Sequence, residues 1–155
     1  MRISSSLMLI FLWGISINLS HAKSSDWLTT LPSGEQMEKV AKHLRGFDMT
    51  MMEVGMRYTE LFWAGMDENW ENASYQLGKI EKTIKLGIER RPKRAGNAKI
   101  FLASLNKLKS SLKKKNISDF KEQFLQLRES CNKCHASEKV SFFKVKTPKV
   151  RILPF

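Results

Sequence analysis

Four stretches of this chain carry apolar residues at alternating steps of three and four. The first holds Met37, Val40, Leu44, Phe47, Met51, Val54, Tyr58 and Leu61, and the second Trp70, Ala73, Leu77, Ile80 and Ile84. The third holds Ala98, Phe101, Leu105, Leu108 and Leu112, and the fourth Phe120, Phe124, Leu127, Cys131 and Cys134. An α-helix returns to the same face at these steps, so each stretch makes one apolar stripe that must be buried against other helices. Sustained two-residue alternation is absent except in the final "FFKVKTPKVRILPF", where Pro148 and Pro154 favour an extended strap. Turn signals separate the stripes. Gly65 and Asp67 are expected to end the first helix and cap the second, and Pro92 pushes Arg91 out of helical geometry. Asn116 or Ser118 caps the fourth, with Asp119 and Glu122 near its start. The expected fold class is all-α, an antiparallel four-helix bundle with an extended C-terminal tail.

The first residues stand apart from this pattern. Arg2 precedes the apolar run "LMLIFLWGISINL", followed by "SHAKSS" with small residues at Ser20 and Ala22. A positive start, a short apolar core and small residues before a cut are the marks of a secretory signal peptide, assigned to residues 1–22. The run is shorter than the ~20 residues that cross a bilayer. Residues 23–155 then form a single domain of the exported, periplasmic chain. Arg2 is the leader's one charge, so 27 − 1 = 26 cations face 15 anions, a net charge of +11. The cations gather in "ERRPKRAGNAK", "KLKSSLKKKN" and "KVKTPKVR". Beyond ordinary solvated helix ends, they suit docking to an acidic partner protein or to anionic headgroups. Nucleic acid is not expected as a partner of an exported chain.

The chain's two cysteines and one of its three histidines fall in a single cluster, Cys131, Cys134 and His135 within "CNKCH". A dithiol redox motif would sit at a helix start in an α/β frame, but this one lies toward the end of a helix. A zinc site needs a fourth ligand, and the only other histidine after the leader is His43. Covalent attachment of haem c accounts for the spacing. Cysteines three apart share a helix face and reach both vinyl groups of one porphyrin, and the adjacent histidine meets the iron as its proximal ligand. The same cysteines continue the apolar stripe of the fourth helix, which directs the cofactor into the bundle. Residues 136–155 contain neither methionine nor histidine, so any second protein ligand comes from upstream. After the leader the methionines are Met37, Met49, Met51, Met52, Met56 and Met66, on or just beyond the first helix.

A leader, four striped helices and Cys131, Cys134 and His135 near the end of the fourth resemble the cytochrome c′ and cytochrome c-556 group. The resemblance implies a monohaem four-helix bundle without enzymatic activity. It also implies a first helix facing the distal side of the haem, and a homodimer. In some members a methionine there binds iron; in others an apolar residue leaves it five-coordinate. "RGFDMTMM" is similar to the family's first-helix pattern and would select Met49. Helical phase selects Met51, which shares the stripe with Phe47, Val54 and Tyr58, whereas Met49 lies ~200° around the helix. Met51 is therefore the expected distal residue and iron ligand, with Met49, Met52 and His43 as alternatives. Two departures stand out: Lys139 where the family often has arginine, and a tail from Ser141 to Phe155. The expected function is electron transfer, the alternative the binding of a small gas such as NO or CO. Asp48 and Glu53 are read as surface carboxylates, and Trp63, Trp70 and Tyr75 as packing residues.

Overall fold

The computed structural model describes residues 31–151 and 153, and every regular element among them is helical. The expected leader, residues 1–22, lies outside the described residues. The chain divides into two compact units, Met1–Ala41 and Lys42–Phe155. Helix α1 (Ser33–His43), whose last two residues belong to the second unit, begins on the Pro32 carbonyl, which accepts from Glu35 N–H at 2.9 Å and Gln36 N–H at 3.2 Å.

The second unit holds α2 (Phe47–Met66), α3 (Trp70–Arg90), a 3₁₀ turn (Pro92–Arg94), α4 (Ala95–Lys114) and α5 (Ile117–Ser137). Helix α2 packs on α3 and α5, and α4 packs on α3 and α5, so the four close around one core as a helical bundle. The stripes read from the sequence form that core. Val54, Tyr58, Leu61, Ala73, Leu77, Ile80, Ile84, Ala98, Phe101, Leu105, Leu108, Leu112, Phe120, Phe124 and Leu127 are all buried. Each large side chain so buried contributes about 1.5–3 kcal/mol. No helix among the described residues is long and apolar enough to cross a membrane.

Two expectations about the helix ends need correction. The first stripe is divided between two helices. Arg45 takes a left-handed φ of 56° and Gly46 is the N-cap of α2, so α1 ends before the stripe reaches Phe47. Leu44, assigned to the core by periodicity, is 54% exposed at this break. Gly65, in turn, does not break α2 but lies buried inside its last turn. A Cβ built there would overlap the Phe120 ring, so glycine is what lets α5 place that ring against the α2 backbone. The turn is made instead by Asp67, the α2 C-cap, and by Glu68 at a φ of 57°. Asn69 caps α3, its side chain accepting from Asn72 N–H at 3.1 Å. Between α4 and α5 the expected Asn116 is the cap, accepting from Asp119 N–H at 2.9 Å.

Beyond α5 the chain reverses. Glu138 is the C-cap and Lys139 follows in the left-handed region at a φ of 61°. Val140 N–H donates to the His135 carbonyl at 2.9 Å and Lys139 N–H to Ala136 at 3.0 Å, the bond pair of a Schellman motif. Phe143 N–H then donates to the Val140 carbonyl at 3.0 Å, closing a turn. The remaining tail runs back over α5 and α2 without regular structure. Arg128 bonds Thr147 at 3.0 Å, the Tyr58 hydroxyl bonds the Lys146 carbonyl at 3.3 Å, and Trp63 Nε1 bonds the Val150 carbonyl at 3.1 Å. Arg151 closes the strap with a two-pronged ion pair to Asp67 at 2.5 and 2.6 Å, its guanidinium 4.8 Å from the Trp63 ring centre.

Candidate functional site

Phase along α5 decides what one end of the bundle displays. Phe120, Phe124 and Leu127 fill the core, and the next stripe positions along the helix are Cys131, buried, and Cys134, half-buried. With His135 they line an open cleft whose enclosed volume is about 100 Å³. The cleft is also lined by Phe47, Met51, Val54, Gly55 and Tyr58 of α2, with Ile84 of α3, Ala98 and Phe101 of α4, and Val145 of the tail. Tyr58 is buried, which raises its hydroxyl pKa well above the ordinary value.

The cleft is apolar apart from the two thiols, the imidazole and the tyrosine. Burial pushes the Cys131 thiol up to about 12, with Cys134's charge adding to it. Burial also raises Cys134, against the opposing charge of Arg94. Both groups are therefore neutral thiols near neutral pH, unlike the depressed thiolates of dithiol redox motifs. Among the described residues, no three of His, Cys, Asp and Glu gather as a metal-ion site. His43, considered as a further ligand, lies in the last turn of α1 and is not among the residues lining the cleft.

His135 is held by one bond of particular consequence. Its Nδ1 lies 2.6 Å from the Phe143 carbonyl oxygen. A carbonyl oxygen can only accept, so Nδ1 carries the proton and the Nε2 lone pair is left available. Gly55 of α2, also in the lining, presents no side chain, and a Cβ built there meets nothing within 4 Å. Two thiols three residues apart and an imidazole with an available Nε2, set among apolar side chains, are the donor types that covalent haem attachment uses.

The distal candidates separate by their faces. Met51 is half-buried, packs against the core and lines the cleft. Met49 is 36% exposed and Met52 66% exposed, and neither lines it. The carboxylates read as surface groups make surface pairs, Asp48 with Arg45 at 2.6 Å and Glu53 with Arg57 at 2.8 Å. Arg94, whose charge acts on Cys134, is ion-paired with Glu138, which also accepts from Asn97 at 2.8 Å. Sequence reasoning missed the Phe143 carbonyl and Val145, since a backbone acceptor carries no residue signature and the tail's fold-back is set by distant partners. No protein-family model, curated protein or solved structure matches this chain, so the cleft is interpreted from its own residues.

Proposed function

We propose that the protein is an exported, periplasmic monohaem c-type cytochrome of the four-helix-bundle kind that transfers electrons. The observation that carries this reading is the convergence of Cys131, Cys134 and His135 on one apolar cleft that Met51 of α2 also lines. Cys131 and Cys134 would hold the porphyrin through thioether bonds. His135 offers Nε2 from the α5 side, and Met51 offers its thioether sulfur from α2. Haem, when bound, supplies an iron that gains and loses one electron, and methionine with histidine raises its potential. The chain's own walls exclude water and hold both ligands on packed helices, so the geometry changes little with oxidation state. Lys93, Lys99, Lys107, Lys113, Lys114 and the lysines of the tail steer an acidic partner protein toward the molecule.

Produced with haem-attachment machinery, the protein is expected to retain haem-peroxidase stain on a denaturing gel. Replacing both Cys131 and Cys134 abolishes that stain; an unstained wild type sinks the reading. In the absorption spectrum, Met51→Ala converts a six-coordinate protein into a five-coordinate one that binds carbon monoxide when reduced. A spectrum unchanged by Met51→Ala but altered by Met49→Ala or Met52→Ala refutes the assignment of Met51. Phe47 and Val54 flank Met51 in the same wall, and this favours a definite second reading. If the wild type is five-coordinate, Met51 is a wall of an apolar distal pocket and the protein binds a small gas.

A further inference from the structure

Nδ1 of His135 is protonated because the Phe143 carbonyl stands 2.6 Å away. An unconstrained neutral imidazole in water prefers the other tautomer, which would block Nε2 with a proton. The tail therefore works against the default of the ring. What keeps the carbonyl in place is visible one turn back on α5. The Asn132 side chain accepts from Val145 N–H at 2.8 Å and donates to the Val145 carbonyl at 3.1 Å. Both bonds go to one residue of an otherwise irregular strand, so they fix its position and its orientation together. Asn132 occupies one of the two positions between the cysteines of the motif, three residues before His135, and so stands near it on the helix surface. The Schellman motif and the Val140–Phe143 turn complete a short loop whose two ends are both tied to α5. Val145 also lines the cleft, so the clamp positions a wall as well as a ligand.

We infer that the C-terminal strap is a proximal clamp, in which Asn132 acts as a positioning residue. By pinning Val145 it holds the Phe143 carbonyl on His135 Nδ1, presents Nε2 to the iron and strengthens the imidazole as a donor. This inference rests on the haem reading above for the identity of the metal, but the state of the ring does not. Outer hydrogen bonds to ligating histidines typically change metal affinity 10–100-fold. A stronger donor favours the oxidised iron, so the clamp lowers the reduction potential.

Two readouts test it. In the full chain produced without haem, nitrogen NMR of His135 is expected to show the Nδ1–H tautomer, and Asn132→Ala to shift the ring toward Nε2–H. In the haem-loaded protein, Asn132→Ala is expected to weaken the preference for oxidised iron about tenfold, an upward shift of about 59 mV for a one-electron couple. Asn132→Asp keeps the acceptor for Val145 N–H but sets a carboxylate oxygen against the Val145 carbonyl in place of the amide donor, so in the haem-free chain it should also shift the ring toward Nε2–H. Arg151→Ala loosens only the far end of the strap and should leave both readouts in place. The clamp is overturned if Asn132→Ala leaves tautomer and potential unchanged. It is equally overturned if Arg151→Ala moves them as far, because the strap then acts only through general stability. A wild type that takes no haem defeats the cytochrome reading, while the tautomer in the haem-free chain still decides the clamp.

Discussion

Helix α2 carries two glycines that teach opposite lessons. At Gly65 the helix meets the Phe120 ring so closely that a Cβ would overlap it. There the core is closed: Tyr58 stacks on Phe124 at 4.6 Å, Phe62 and Phe120 lie 5.0 and 5.7 Å from the same ring, and Trp70 edges onto Phe120 at 6.2 Å. At Gly55 a Cβ would meet nothing within 4 Å, and the residue borders the cleft instead of a ring. The same helix thus belongs to a filled core at one end and to a recess at the other. Close packing makes the first end intolerant of added volume, and the second end is where a group from outside the chain can be accommodated.

The sharpest way to break this contrast is to add a methyl at each glycine. Gly65→Ala is expected to destabilise the protein by about 2–3 kcal/mol, near the upper range for overpacking, in a urea unfolding series. A neutral result would mean that α5 and its Phe120 ring can move away without loss. Gly55→Ala should change stability in the opposite direction, by about 0.5–1 kcal/mol, because alanine is the better helix former and the space is open. Destabilisation there would show that the recess is closed in solution. A related gain of about 0.5–1 kcal/mol is expected for Lys139→Gly, which relieves the left-handed backbone that starts the strap, measured by the same unfolding series. Loss of stability would indicate that the Lys139 side chain makes a contact worth more than the backbone relief.

The end of α2 that carries Asp67 offers a smaller test. Hydrogen bonding to Arg151 holds the Asp67 carboxyl below its usual range. A depressed folded pKa contributes stability that is present above the unfolded pKa and lost as pH falls through the folded value. The wild type should therefore lose this contribution below about pH 4, the ordinary carboxylate range, whereas Asp67→Asn should lack that part of the pH dependence. Parallel stability curves for the two proteins would remove the ion pair from the account of how the strap is fastened. The smallest structural effect concerns the cationic surface. If the protein transfers electrons to an acidic partner as proposed, that exchange slows as salt rises, since screening shortens the field to ~8 Å at physiological ionic strength. Rates indifferent to salt would leave the positive charge without a steering role.

Periodicity made the helical class and most of the core legible, because which residues share a helix face is a local property of spacing. Phe101, Leu105, Leu108, Leu112, Phe120, Phe124 and Leu127 were assigned to the core by this rule and are buried. The cysteines, His135 and Met51 were singled out as a group by motif and phase, and they line one cleft. Periodicity misled where the partner mattered more than the spacing. Leu44 keeps the three- and four-residue rhythm but falls where Arg45 and Gly46 leave helical geometry. Gly65 looked like a helix breaker, and only the Phe120 ring from a helix far along the chain explains its place inside α2. The bond from His135 to the Phe143 carbonyl had no sequence signal at all, because every residue offers the same backbone oxygen and only the fold selects one. The sequence by itself determined the helical stripes and the group of donor side chains, both properties of spacing along one helix. Tertiary structure alone decided how closely α2 and α5 approach, where the first stripe is divided, and which nitrogen of His135 is left free. Those depend on contacts between residues far apart in the chain, where shape and hydrogen-bond geometry act and spacing does not.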